Sequence, residues 1–134
     1  MKLKNKVAVV TGGSEGLGLS IVKKLLGEGC KVHIISRDAT KQESVKKEID
    51  NQDLLFHQAD VSNYNEISKA ISEIGQVDIL INNAGIWLEG DLDSYDPDMI
   101  SSVIDINTKG VIYTTKAVLP IMRKNDDGYI LNVS

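Results

Sequence analysis

Apolar positions along the chain follow two rhythms. Short, largely apolar runs recur at Val7-Ala-Val-Val10, Val32–Ile35, Leu54–His57, Val77–Ile81 and Tyr129–Val133. Continuous runs of this length read as strands covered on both faces. Between them, apolar residues recur every three or four positions. Gly16–Glu28 is expected as a helix with Leu17, Ile21, Val22, Leu25 and Leu26 on one face, stopped by Gly27 and Gly29. Thr40–Ile49 is expected as an amphipathic helix rich in Lys and Glu. Ser62 or Asn63 caps a helix that runs to about Ile74, with Ile67, Ala70, Ile71 and Ile74 inward and Gly75 at its end. Asp96-Pro97 opens the longest helix, with Asp as cap and Pro at the first helical position. That helix carries Met99, Val103, Ile106, Val111, Ala117, Val118 and Met122, and Pro120 is expected to kink it or open its last turn. Asp126-Asp-Gly128 reads as a turn.

Strands alternating with helices of this length predict right-handed βαβ units and an α/β fold with a parallel sheet covered on both faces. No internal repeat, low-complexity segment or linker interrupts the pattern, so residues 1–134 are expected to form one domain. In such sheets a ligand binds at the carboxyl ends of the strands. Three polar stretches follow strand ends: Thr11-Gly-Gly-Ser-Glu-Gly-Leu-Gly18, Asp60-Val61 and Asn82-Asn-Ala-Gly85. They should converge on one edge of the sheet.

Composition narrows the possibilities only a little. Hydrophobic residues at 42% and charged residues at 25% are ordinary for a globular protein, and 134 residues suffice for a sizeable core. The net charge of −4, with both signs mixed along the chain, offers neither a nucleic-acid footprint nor a face for an anionic membrane. Cys30 is the only cysteine, so no internal disulfide can form. A reducing compartment, the cytoplasm, is the expectation, with Cys30 as a small buried thiol. The first apolar run is too short for a signal peptide, and nothing approaches the roughly 20 apolar residues of a membrane span. His33 and His57 are expected on strands far apart, without metal-ligand spacing, and no metal site is expected.

The glycine stretch carries the most chemistry. A strand turning through glycines into a helix presents free N–H groups and the positive end of the helix dipole to an anion. Gly12, Gly16 and Gly18 sit at such a turn, with Ser14, Glu15 and Leu17 between them. A glycine loop serving the turn alone is the competing reading.

The spacing Thr-Gly-x-x-x-Gly-x-Gly resembles the fingerprint of the short-chain dehydrogenase/reductase family. The likeness extends along the chain. Asp60-Val61 matches the family's adenine-contacting aspartate and its neighbour; taken alone, Asp60 reads as an ordinary helix-entry aspartate near a cap. Asn82-Asn-Ala-Gly85 is similar to the family's second motif, in which Asn83, Ala84 and Gly85 lie beside the cofactor ribose. Asn107, in Asp105-Ile-Asn-Thr-Lys-Gly110, matches the family's catalytic-site asparagine, which bends its helix and holds a water of the proton relay. An asparagine bonding its own helix backbone is the alternative there.

The resemblance implies a Rossmann-like, doubly wound parallel sheet of about five strands in the order 3-2-1-4-5. It implies an NAD(P)-dependent oxidoreductase, exchanging hydride with a small carbonyl/alcohol substrate and forming a homo-oligomer, with neither nucleic acid nor membrane as a partner. A ketoacyl-reductase-like ketone is the commonest substrate of that kind. At the end of the second strand Ser36 stands where NAD-preferring members carry an acid, and Arg37 follows where NADP-preferring members carry a base. An arginine pairs with a 2′-phosphate, so NADP(H) is favoured over NAD(H). Glu15 argues the other way, because relatives that bind NADP often place a base there.

Members of the family also use a Ser, a Tyr and a Lys four residues after the Tyr. Tyr64, Tyr95, Tyr113 and Tyr129 are the only tyrosines, and none has Lys at that spacing. Ser134 aligns just before the family's serine and is not assigned a catalytic role. Relatives continue with further strands and helices, so the chain is expected to be truncated relative to the family. A catalytically silent nucleotide-binding or interaction module is the alternative function. Trp87 either lines a substrate pocket or caps the edge of the core.

Overall fold

A computed structural model describes residues 2–134. Five parallel strands form one sheet in the order β3-β2-β1-β4-β5. They are β1 (Val7–Thr11), β2 (Lys31–Ser36), β3 (Leu54–Gln58), β4 (Ile79–Asn82) and β5 (Tyr129–Asn132). The central strands are apolar because both of their faces are covered: every residue of β1 and β4 is buried. The helices α1 (Gly16–Gly27) and α2 (Ala39–Glu48) lie on one face. There Val22, Leu25 and Val45 meet Ala8, Val10, Val32 and Ile34. The opposite face takes α3 (Tyr64–Ile74) and α5 (Gly110–Asn125), whose Ile67, Ile71, Val118 and Met122 pack on Val9, Ile35 and Leu80.

The capping chemistry read from the sequence is present. Asn63 Oδ1 accepts from Glu66 N at 3.2 Å, and Asp96 Oδ1 accepts from Asp98 N at 2.8 Å with Pro97 at the first helical position. Gly29 and Gly75 take positive φ values of 85° and 78° after their helices.

Several expectations need correction. The fourth strand begins at Ile79, later than expected, and just before it the Asp78 carboxylate accepts from Val7 N at 2.7 Å. The longest helix is two helices: α4 (Pro97–Ile104) and α5 are joined by a π-helical turn over Asp105–Lys109. Pro120 lies inside α5, which continues to Asn125. Leu17 points outward and is 59% exposed, because at the first turn of α1 it is Gly18 that faces the sheet. Met99 of α4 is exposed as well, and α4 buries no side chain. Among the described residues no helix is long and apolar enough to cross a membrane.

Candidate functional site

The carboxyl ends of β1, β2, β3 and β4 open on a cleft of about 200 Å³. One wall is the glycine turn, through Gly12, Ser14 and Glu15. A second is the end of β2 with the start of α2, through Ser36, Arg37, Asp38 and Lys41. Ala59 and Val61 follow β3, and Ala84, Gly85 and Ile86 follow β4. Ile106, from the π-helical turn, closes the apolar side.

The glycine turn and the segment after β4 are built as one interlocked unit. Thr11 is buried, and its Oγ1 accepts from the backbone N–H of both Asn83 and Ala84 at 3.0 Å. Asn83 Nδ2 donates to the Gly12 carbonyl at 3.1 Å. Little room remains between them. A Cβ on Gly12 would lie 2.9 Å from Ala84 Cα, and one on Gly18 would overlap the Gly12 carbonyl and Asn83 Nδ2. Gly12 and Gly16 also hold φ values of 65° and 55°, where a side chain is strained. The glycines therefore answer two needs, close backbone approach and left-handed backbone. Asn107 fixes the next residue: its Oδ1 accepts from Ile86 N at 2.8 Å, and its Nδ2 donates to the Ile86 carbonyl at 2.6 Å. Its amide is thus spent on the loop after β4 rather than on its own helix.

A second polar network secures the β2 side. Gln42 of α2 is buried and donates through Nε2 to Ser36 Oγ at 2.8 Å and to the His57 carbonyl at 2.9 Å. Ser36 Oγ in turn shares a hydrogen bond of 2.9 Å with Ser14 Oγ. The ends of β2 and β3 and the glycine turn are joined through three side chains. Glu15 pairs with Lys41 Nζ at 2.7 Å, and this carboxylate holds the lysine above its ordinary pKa. Asp38 caps α2, accepting from Lys41 N at 3.0 Å. The Arg37 guanidinium is exposed and makes no ion pair among the described residues.

Of the residues expected at the site, Gly12, Ser14, Glu15, Arg37, Val61, Ala84 and Gly85 line the cleft. Gly18 and Asn83 lie beneath it, and Asn107 braces its rim. Asp60 sits between two lining residues, with Oδ1 accepting from Ser62 N at 2.9 Å and Ser62 Oγ at 2.7 Å. Gly16 and Leu17 stand outside the lining. Lys41 and Gln42 were not legible as site residues, because in a Lys- and Glu-rich helix they look like a solvated face. Their position in the first turn after β2 was the available signal. Trp87 is 78% exposed and does not cap the core.

His33 and His57 are neighbours, contrary to expectation. Parallel pairing of β2 with β3 sets Ile35 opposite His57, so the two histidines meet diagonally on one face. His33 Nδ1 lies 2.9 Å from His57 Nε2, and the rings stack at 5.1 Å. Burial first, then the His57 and Lys31 charges, push His33 down to about 4. Burial also lowers His57, against the pull of Glu73. Among the described residues no group of three or more His, Cys, Asp or Glu is arranged to hold a metal ion.

Residues 6–134 match the family model described as short chain dehydrogenase. The whole chain is 37% identical to an uncharacterized oxidoreductase of Staphylococcus saprophyticus and spans 60% of that relative's length. Among solved structures, a metagenomic short-chain oxidoreductase in complex with NADP superposes with a TM-score of 0.90 at 33% identity. That match covers 100% of this chain and 63% of the other. The 3-ketoacyl-(acyl-carrier-protein) reductase of Brucella melitensis, complexed with NADH, gives a TM-score of 0.88 at 33% identity, covering 98% of this chain and 57% of the other. This chain belongs to the short-chain dehydrogenase family.

Proposed function

We propose that the cleft binds a nicotinamide dinucleotide, NADP(H) in preference to NAD(H), and that the chain serves an oxidoreductase acting on a carbonyl/alcohol pair. The interlocked glycine turn carries this reading. Gly12 and Gly18 leave room for backbone and nothing larger, so the free N–H groups at the start of α1 stay open to a diphosphate. Asp60 and Val61 would receive the adenine, and Asn83, Ala84 and Gly85 the ribose beside the nicotinamide. The bound dinucleotide supplies or accepts the hydride. Asn107 would hold the rim through Ile86 and support proton transfer there. The family resemblance and the NADP- and NADH-bound structural relatives support a nicotinamide cofactor.

Arg37 favours the phosphorylated cofactor, because an exposed guanidinium without a carboxylate partner suits a 2′-phosphate. A ketone of the ketoacyl type remains the substrate class carried by resemblance. The same resemblance carries a homo-oligomer, and the exposed Met99, Ile100 and Ile104 of α4 fit it. A cytoplasmic setting fits the single buried thiol of Cys30.

Titration with NADPH and NADH, read by nucleotide fluorescence, tests the reading. NADPH should bind more tightly, and tighter binding of NADH overturns the preference. Binding of neither overturns the dinucleotide site. A second reading, carried over from the sequence, is a silent nucleotide-binding module. Binding without reduction of a ketone panel would select it.

A further inference from the structure

Four charged side chains line the β2 side of the cleft: Glu15, Arg37, Asp38 and Lys41. Two are acidic and two basic, but they are not equally engaged. Asp38 is turned to the start of α2, accepting from Lys41 N at 3.0 Å. Glu15 is held by Lys41 Nζ at 2.7 Å, across 26 positions of sequence. Arg37 is the cation left over. The balance depends on Lys41. Without it Glu15 would stand unpaired in the same cleft wall as Arg37, and a dianionic phosphate there would meet an acid and a base together.

We propose that Lys41 is a specificity-determining residue of this cleft: by pairing with Glu15 it removes the one acidic group of the glycine turn that opposes a 2′-phosphate. The proposal rests on the dinucleotide reading above and deepens it. It also resolves the conflict between Glu15 and Arg37. The base that Glu15 displaces from the glycine turn is supplied from α2 instead. Both partners are largely solvent-exposed, with side chains 67% and 47% accessible for Glu15 and Lys41. An exposed pair of this kind adds little to folding. Its effect should fall on a charged ligand rather than on stability.

NADPH and NADH differ only in the 2′-phosphate, so their ratio isolates the effect. Lys41→Met keeps most of the aliphatic stem and removes the charge. It should weaken NADPH binding about tenfold and leave NADH within about twofold, the size expected of one charge near a protein surface. Glu15→Gln should tighten NADPH by a few-fold. In the double variant the weakening and the tightening should largely offset each other. The NADPH penalty in Lys41→Met should also shrink as salt rises to about 0.5 M. Equal weakening of both nucleotides by Lys41→Met would mean that the pair only braces the loop, and the proposal would fall. Tightening of NADH rather than NADPH by Glu15→Gln would overturn it too. If the unaltered chain binds neither nucleotide, the dinucleotide reading fails and takes this proposal with it. If it binds both and the variants leave the ratio unchanged, only this proposal fails. Thermal melts of each variant, expected to match the parent within a few degrees, separate binding effects from unfolding.

Discussion

The carboxyl edge of the sheet and the two segments α4 and β5 are built on opposite terms. At the carboxyl edge the polar groups are occupied by one another. Thr11 holds Asn83 and Ala84, Asn83 holds Gly12, Gln42 holds Ser36, and Asn107 holds Ile86. By contrast, α4 buries no side chain, and every residue of β5 is exposed. Met99, Ile104, Tyr129 and Leu131 present apolar surface there. Asn82 Nδ2, donating to Asn132 Oδ1 at 2.9 Å, is among the few side-chain ties to β5. The cleft therefore owes its shape to hydrogen bonds within this chain. The side chains of α4 contribute little to the packing, whereas β5 is paired with β4 along its whole length.

The sharpest break between the two regions is Gly18→Ala. The added methyl would overlap the Gly12 carbonyl and Asn83 Nδ2, and both are fixed backbone or hydrogen-bonded groups. A loss of about 3 kcal/mol is expected, together with loss of NADPH binding. Gly16→Ala is the matched control, because its Cβ would meet nothing within 4 Å. Its cost is the left-handed backbone alone, about 1 kcal/mol. Urea unfolding of both variants measures the difference. Equal losses would mean that backbone conformation, not interlocking, makes the edge rigid.

The next effect lies in the strands that carry the cleft's β2 side. His33 sits on β2 and is 6% exposed, stacked on His57 of β3. A histidine in an unfolded chain has a pKa near 6.5, whereas His33 in the fold is pushed down to about 4. Between those values the unfolded chain binds a proton that the folded chain refuses. Stability is therefore full above pH 6.5 and declines as pH falls toward 4, by at most about 3 kcal/mol. His57, also lowered by burial, acts in the same direction. Urea unfolding at pH 7.5, 5.5 and 4.5 measures the slope. Carboxylates titrate over the same range, so the comparison is with His33→Phe, which should flatten part of it. An unchanged slope in that variant would rule out the histidine as the source.

How much of this was legible depended on where the information is stored. The alternation of strands and helices and the glycine turn were readable because each depends on local pattern: apolar runs, caps, and glycines at a fixed spacing. The strand order followed only from the family resemblance. The cap at Asn63 and the Asp96-Pro97 start were equally local, and both were read. The π-helical turn at Asp105–Lys109 was foreshadowed only by the resemblance, which implies a bend at Asn107; the tie of Asn107 to Ile86, 21 positions away, was not legible. The His33–His57 contact was missed as well, since strand register brings it about. Lys41 and Gln42 hid in a helix whose composition suggested only a wet face. What escaped the sequence was pairing between elements, and the cleft's charge balance is of that kind.

The smallest expected effect lies in α4 and β5. Ile104 is 52% exposed and Leu131 is 54% exposed, so neither fills a cavity. Ile104→Ser and Leu131→Thr should each change unfolding free energy by less than about 0.5 kcal/mol, and NADPH affinity should not move. Thermal melts at two protein concentrations about a hundredfold apart make this a strong test. A monomer gives the same small shift at both. A large shift that appears only at the higher concentration would mean that these side chains are buried against a second copy. The contrast between the two regions would then hold within one chain and disappear in the assembly.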